Sequence, residues 1–322
     1  MNKLKDFLQV ELPRINLVLQ KELEVLSPMV REVGEHVLSA GGKRLRPVLT
    51  ILTARCMGGS ERDIYPLACS LELLHSATLI HDDILDNADV RRGRKSTHLI
   101  FGIKRAILAG DALLALANMI VARYDVPAMN YCVAEAILKT ASGEVEEIEN
   151  LRNPEMDEAT YLEIVRGKTA FLIQAACSCG AMVSGVSRDI QEQAASFGMN
   201  LGIAFQLVDD ALDYAVDANL LGKPHGNDIR EGKITLPLIL FLKTLPEQQK
   251  QTLLGKISGN SLSEDQLKDV IAGIQEAGLD QKVRQEAGFY LKKATESLFS
   301  FPESRERSLM QEMVELVKNR KF

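Results

Sequence analysis

Tryptophan is absent from this 322-residue chain, tyrosine occurs only 6 times, and 22 glycines with 10 prolines make up about a tenth of it. So little turn material argues against a many-stranded β protein. Runs of alternating β-branched residues are missing too. The five cysteines, Cys56, Cys69, Cys132, Cys177 and Cys179, contain no C-x-x-C pair of the zinc type. They read as buried thiols of a reducing compartment. Neither charge sign dominates: 44 acidic and 38 basic residues leave a net charge of −6, which argues against nonspecific nucleic-acid binding. The longest uncharged stretch, Thr169 to Ser187, carries Gln174, Ser178, Gly180, Ser184 and Gly185. It reads as a buried helix packed through small residues rather than a membrane span. The opening MNKLKDFLQVELPRI has no apolar region before a small-residue cleavage site. A cytoplasmic protein with no secretory signal and no transmembrane segment is the expectation.

With 46% hydrophobic and 25% charged residues, the chain has ample material for a globular core. Apolar residues recur at three- and four-residue spacing almost throughout, as in Leu201, Phe205, Val208 and Leu212. That period predicts helix after helix, near 3–24, 29–39, 47–57, 64–86, 103–124, 128–151, 157–185, 188–215, 235–244, 263–275, 280–299 and 303–319. No Ser/Gly-rich or Pro-rich linker divides them, so an all-α fold in one domain, residues 1–322, is expected. The two longest non-periodic stretches, 87–101 and 216–234, each follow an aspartate cluster. Loops after rigid elements are where chemistry is usually placed.

Those clusters are Asp82-Asp83-Ile84-Leu85-Asp86 and Asp209-Asp210-Ala211-Leu212-Asp213. In each D-D-x-x-D, the first and last aspartates lie one turn apart on one helix face. A single copy is ordinarily a solvated helix end. Two copies, each preceded by apolar residues (Leu79, Ile80; Leu207, Val208), point to carboxylates facing a cleft. An all-oxygen donor set suits a hard cation, and Mg²⁺ keeps waters and shares substrate phosphates. A phosphate or diphosphate substrate follows. Cations stand nearby in sequence: Lys43, Arg44 and Arg46 after Gly41-Gly42, then Arg91, Arg92, Arg94 and Lys95, Lys168, Lys223 and Lys233. Each basic run alone reads as a solvated face; beside glycines and repeated aspartates, anion binding is the better joint account. Glu72 and His75 have the E-x-x-H spacing of di-iron bundles, but that site needs two such motifs and one is present. His75, two turns before Asp82, is instead placed to donate to a diphosphate.

The sequence resembles the trans (E-type) polyprenyl diphosphate synthases of the long-chain type (hexaprenyl, heptaprenyl, octaprenyl). The likeness rests on GGKRLRP at 41–47, LLHSATLIHDDILD at 73–86 with RRG at 91–93, GKTA at 167–170, FQLVDDALD at 205–213 and GKPHGNDIREGKITLPL at 222–238. Outside these blocks only general helical character and the basic tail through Lys318, Arg320 and Lys321 match. The resemblance implies an isoprenoid-synthase-type helical bundle around a central cavity, usually a homodimer. It implies that Asp82, Asp83, Asp86, Asp209, Asp210 and Asp213 hold Mg²⁺, three ions per site, on the allylic diphosphate. It assigns Lys43, Arg46, His75 and Arg92 to isopentenyl diphosphate. Arg91, Lys168, Thr169, Gln206, Lys223 and Lys233 go to the site of the allylic diphosphate, expected to be farnesyl diphosphate, or to its immediate surroundings, with Thr169 and Gln206 near the reacting carbons. Two departures stand out: Lys95 where proline is common, and an acidic helix with Glu144, Glu146, Glu147 and Glu149.

The implied chemistry is ionisation of the allylic diphosphate, attack by the double bond of isopentenyl diphosphate, and proton loss. Electrostatic stabilisation of the leaving group suits the residue types present. Ala77 and Thr78 lie five and four residues before Asp82, about one 5.4 Å turn down the helix. In the family a Phe or Tyr at that level stops growth at C15 or C20. The small residues predict a product of around C30 to C45, with Leu74, Leu71 or residues of 113–138 as a lower floor. A terpene cyclase and a regulatory subunit are the alternatives; the second full aspartate motif and the separate cationic set favour elongation.

Overall fold

Helix follows helix in the computed structural model, which describes residues 3–59, 63–215 and 226–320. In chain order the first seven helices are α1 (Lys3–Leu23), α2 (Pro28–Ser39), α3 (Leu45–Cys56), α4 (Ile64–Leu85), α5 (Thr97–Phe101), α6 (Ile103–Ala122) and α7 (Pro127–Glu149). Then come α8 (Glu158–Val165), α9 (Phe171–Val183), α10 (Arg188–Leu212), α11 (Asn227–Glu231), α12 (Leu236–Thr244), α13 (Glu247–Ser258), α14 (Glu264–Glu276), α15 (Leu279–Leu298) and α16 (Arg305–Lys318). The only strands among the described residues are β1 (Val90–Arg91) and β2 (Arg94–Lys95), antiparallel with Val90 opposite Lys95. The fold is all-α, as the helical period predicts.

Cα packing divides the chain into two compact units. Unit 1 comprises Met1–Ile137, Leu172–Gly198 and Ser297–Glu312; unit 2 comprises Leu138–Phe171, Met199–Glu296 and Met313–Phe322. Helices α7, α9, α10, α15 and α16 contribute residues to both.

In unit 1, α4 packs against α1, α3 and α6. Its start is fixed by Asp63, whose side chain accepts from Tyr65 N at 3.1 Å. Leu67, Ala68, Leu71, Leu74 and Ala77 have at most 1% exposure and form its packed faces. His75, Thr78, Leu79 and Asp82, at helical spacing, form a half-buried stripe instead. Among the described residues α6 is the one helix long and apolar enough to cross a membrane, with a mean hydropathy of 1.6. Ala106, Ala109, Leu113, Leu116, Ala117 and Ile120 are buried on it, the use a core helix makes of such residues. After α4 the chain turns through Arg92 and Gly93, both at positive φ (51° and 75°). Two consecutive left-handed residues make the tight turn that matches the twist of a two-stranded hairpin. Part of the 87–101 loop is therefore ordered structure.

In unit 2, the helix expected over 157–185 is interrupted. A π turn, Arg166–Ala170, separates α8 from α9. It carries Lys168 and Thr169. One residue inserted into a helix re-aims the side chains of that turn, and such bulges favour functional sites. The turn fits because two glycines meet: a Cβ on Gly143 of α7 would lie 2.7 Å from Lys168 N, and one on Gly167 would lie 2.8 Å from Gly143 Cα. Gly143→Ala is accordingly expected to destabilise the protein by about 1–3 kcal/mol through overpacking. A urea-unfolding midpoint equal to wild type would contradict the close approach. Helix α13 is absent from the periodicity because it buries only Leu254 and Ile257; the strong helix formers Glu, Gln, Lys and Leu in it carry the helix instead.

Candidate active site

The first aspartate motif ends α4 in unit 1. Asp83 is buried and accepts a hydrogen bond from Arg91 Nε. Asp82 is half-buried and Asp86, the C-cap, is exposed. The hairpin brings its basic residues to the same place: Asp83, Arg91, Arg92, Arg94 and Lys95 line one cavity with Leu79 and Ile80. Arg92 donates to Gly41 O, tying the hairpin to the glycine-rich loop. Lys95 sits in β2, and its carbonyl faces His36 Nε2 at 3.0 Å, so the departure from proline lies in a fastened strand.

Arg46 is the most telling cation of unit 1. Burial pulls its pKa down to about 10, with Arg92 opposing and Glu72 favouring its charge. Its Nε is buried with no hydrogen-bond partner. An orphaned guanidinium donor in such surroundings is a ready site for an anion. Lys43 is exposed. His75 is held well below its ordinary 6.5 by burial and then by Arg46, Arg92, Arg91 and Arg44. It is a neutral hydrogen-bond donor at pH 7. The sign of the linkage is clear: below pH 6.5 the unfolded chain takes up a proton that the folded protein refuses, so His75 costs stability in acid. His75→Gln should therefore lose about 1 kcal/mol less than wild type between pH 7.5 and 5.5. Parallel urea titrations check it; equal losses would contradict a His75 that stays neutral in the folded protein.

Unit 2 gathers the other set. Lys168, Thr169, Gln206, Asp210 and Lys233 line one cavity, together with Glu147, Tyr161 and Asp228. Thr169 Oγ1 donates to Gln206 Oε1 at 2.8 Å, Gln206 Nε2 to Asp210 Oδ1 at 2.7 Å, and Tyr161 Oη to Asp210 Oδ2 at 2.5 Å. Burial raises the Asp210 carboxyl to about 7 despite these donors. Burial opposes the charge of Lys168, but Glu147 and Glu144 outweigh it and its pKa is raised. Lys168 Nζ lies 3.0 Å from Glu144 and also donates to Glu147. The acidic helix thus divides: Glu144 and Glu147 face the lysine, whereas Glu146 and Glu149 are exposed. Asp213 accepts from the backbone N–H of Asn227 and Asp228, at 3.1 and 2.9 Å. Asp209 pairs with Arg320 at 2.9 Å. Lys223 and Lys321 lie outside the described residues.

Sequence reasoning missed Tyr161 and Asp228. Tyr161 is a buried aromatic on the apolar face of α8, indistinguishable by pattern from core. Asp228 sits in a charged stretch, yet burial and Asp210 push its carboxyl well up.

The donor chemistry can be tested against a divalent cation. No group of three carboxylate, imidazole or thiol side chains among the described residues is arranged to cage an ion. Such a cage suits Ca²⁺; Mg²⁺ is bound by one or two carboxylates and completes its shell with water and substrate phosphate. The motifs, with only oxygen donors and with Asp82 and Asp209 part-exposed, fit Mg²⁺ on those terms.

Residues 27–274 match the sequence model of the polyprenyl synthetase family. The chain is 33% identical over 309 residues, 95% of its length and 88% of the other's, to heptaprenyl diphosphate synthase component 2 of Bacillus subtilis strain 168. It is 31% identical over 307 residues, 94% of each chain, to the octaprenyl diphosphate synthase of Escherichia coli K12. A crystal structure of polyprenyl synthase from Caulobacter crescentus CB15, complexed with calcium and isoprenyl diphosphate, matches with a TM-score of 0.92 at 32% identity, covering 100% of this chain and 98% of that one. The relatives are named for products from C20 to C50, so membership alone leaves product length open. With both aspartate motifs intact, cations built around them and the likeness running nearly end to end, the chain belongs to the polyprenyl synthetase family of all-α prenyltransferases.

Proposed function

We propose that this protein elongates an allylic diphosphate, with farnesyl diphosphate as primer, by successive head-to-tail condensation with isopentenyl diphosphate. The product is an all-trans polyprenyl diphosphate of around C30 to C45, the length an unblocked turn at Ala77 and Thr78 allows. One observation carries the choice of elongation over cyclisation: the buried, partnerless Nε of Arg46 beside His75 and Arg92, away from any carboxylate hydrogen bond of its own. A cyclase ionises one diphosphate and has no use for a second anion site.

Asp82, Asp83, Asp86, Asp209, Asp210 and Asp213 would hold Mg²⁺, three ions per site. When bound, the metal neutralises charge on the departing diphosphate. Lys168, Lys233 and Arg91 receive that diphosphate; Lys168 exchanges part of its pairing with Glu144 and Glu147 for it. Thr169 and Gln206, locked to each other and to Asp210, present fixed oxygen dipoles to the allylic cation. Lys43, Arg46, His75 and Arg92 hold isopentenyl diphosphate, and neutral His75 contributes a hydrogen bond rather than a charge. The double bond attacks, one C–C bond forms, and the released diphosphate takes the proton.

The reading extends to one polyprenyl synthetase domain over 1–322 and a cytoplasmic homodimer, with no membrane span and no nucleic-acid partner. Outward apolar residues support self-association: Ile107, Leu108 and Met119 on α6, and Tyr131, Leu138, Val145 and Ile148 on α7, are all exposed. The test is diphosphate release by the isolated chain with Mg²⁺ and farnesyl diphosphate. Release that requires isopentenyl diphosphate is expected. Release without it would indicate a cyclase, and none in either case a chain that needs another subunit.

A further inference from the structure

Of the cations in Gly41-Gly42-Lys43-Arg44-Leu45-Arg46, Arg44 behaves differently from its neighbours. It is turned inward and only 6% exposed. Its Nη1 lies 2.8 Å from Glu72 Oε1, its Nε 3.2 Å from Asn16 Oδ1 and its Nη2 2.5 Å from Leu38 O. Every nitrogen of the guanidinium is therefore tied to a different helix: α4, α1 and α2. Arg44 is also left-handed, φ 47° and ψ 42°, at the N-cap of α3. A residue with a Cβ keeps that conformation only where its surroundings over-determine it. Two positions on stands Arg46, with its orphaned Nε. Glu72 has a second buried oxygen, Oε2, that lacks a hydrogen-bond partner. It lies one turn before His75, and its charge acts on both Arg46 and Arg92.

We propose that Glu72, through its buried pair with Arg44, is a positioning residue for isopentenyl diphosphate. It holds the left-handed turn at Arg44, and with it Arg46, in the geometry that receives the diphosphate. This also gives the E-x-x-H spacing of Glu72 and His75 a use: the glutamate braces the loop that supplies cations, and the histidine, one turn on, supplies a donor. Without the carboxylate, the buried guanidinium of Arg44 would be uncompensated and would leave its inward position for water or substrate. The loop would then lose its shape. The inference rests on the proposed function, because it assigns a role within that substrate's site.

The experiment compares wild type, Glu72→Gln, Arg44→Lys and the double variant Glu72→Gln/Arg44→Gln. It reads steady-state kinetics for each substrate, and calorimetric titration with isopentenyl diphosphate alone. For Glu72→Gln, KM and Kd for isopentenyl diphosphate should rise roughly tenfold or more, with kcat and the farnesyl diphosphate KM within about threefold of wild type. Arg44→Lys keeps the charge but loses the fork, and should shift the same constants in the same direction. The double variant replaces the ion pair by a neutral amide pair and should recover most of the loss. If Glu72→Gln does not fold, Arg44→Lys carries the test alone. Unchanged constants for isopentenyl diphosphate, an equal rise for both substrates, or a double variant no better than Glu72→Gln would overturn the inference. A wild-type protein that neither binds nor consumes isopentenyl diphosphate would instead overturn the proposed function.

Discussion

Asp82→Ala is expected to lower kcat by roughly 10²–10³-fold, the scale of removing one electrostatic group aimed at a developing charge. The fold should survive. Asp82 lies on the half-buried stripe of α4, whereas the packed faces of that helix are built from Leu67, Ala68, Leu71, Leu74 and Ala77. Asp83 provides the contrast: it is buried and paired with Arg91 of the hairpin. Removing Asp83 takes away the buried carboxylate to which the hairpin's half-buried Arg91 is fastened. Asp83→Ala should therefore lose both activity and stability, while Asp82→Ala loses activity alone. Single-turnover rates beside thermal unfolding curves separate the two. Retained activity in Asp82→Ala would remove the first aspartates from the chemistry.

A tyrosine at Thr78 is expected to shorten the product towards C15 or C20, since its ring would fill about one helical turn of the path below Asp82. Ala77 is the other residue at that level, and it is packed with 0% exposure, as Leu74 is at 1%. Thr78 is half-buried and donates from Oγ1 to His75 O at 2.8 Å. The two substitutions should differ accordingly. Ala77→Tyr must displace packed neighbours, so it should shorten the product and also destabilise by about 1–3 kcal/mol. Thr78→Tyr should shorten the product with little loss of stability. Chromatography of the dephosphorylated products reads both. Unchanged chain length in the two variants would mean that the growing chain does not pass this turn.

Much of the site is legible in the amino-acid order because its chemistry needs rare patterns. Two D-D-x-x-D clusters at the ends of apolar helices and glycine-flanked cations can be read without coordinates, as can an all-helical period. What stays hidden is the pairing. Arg44 reads as one more cation for an anion, yet three hydrogen bonds turn it into the protein. Glu144 and Glu147 cannot be told from Glu146 and Glu149 until Lys168 is seen between the first two. The π turn is invisible because periodicity continues on either side of it, and only the meeting of Gly143 and Gly167 reveals why it forms. Tyr161 looks like core and α13 looks like nothing. Except in α13, where local helix propensity decides, the deciding information is a contact between residues distant in sequence.

The central claim is elongation by five-carbon units. Mass spectrometry of the diphosphates made by the isolated chain from Mg²⁺, farnesyl diphosphate and isotopically labelled isopentenyl diphosphate tests it most directly. The account predicts a ladder of products, each longer by one labelled five-carbon unit and ending well beyond C20. No labelled product beyond the C15 primer, or unlabelled cyclic hydrocarbons in its place, would contradict elongation, and a ladder that stops at C20 would contradict the open turn at Thr78.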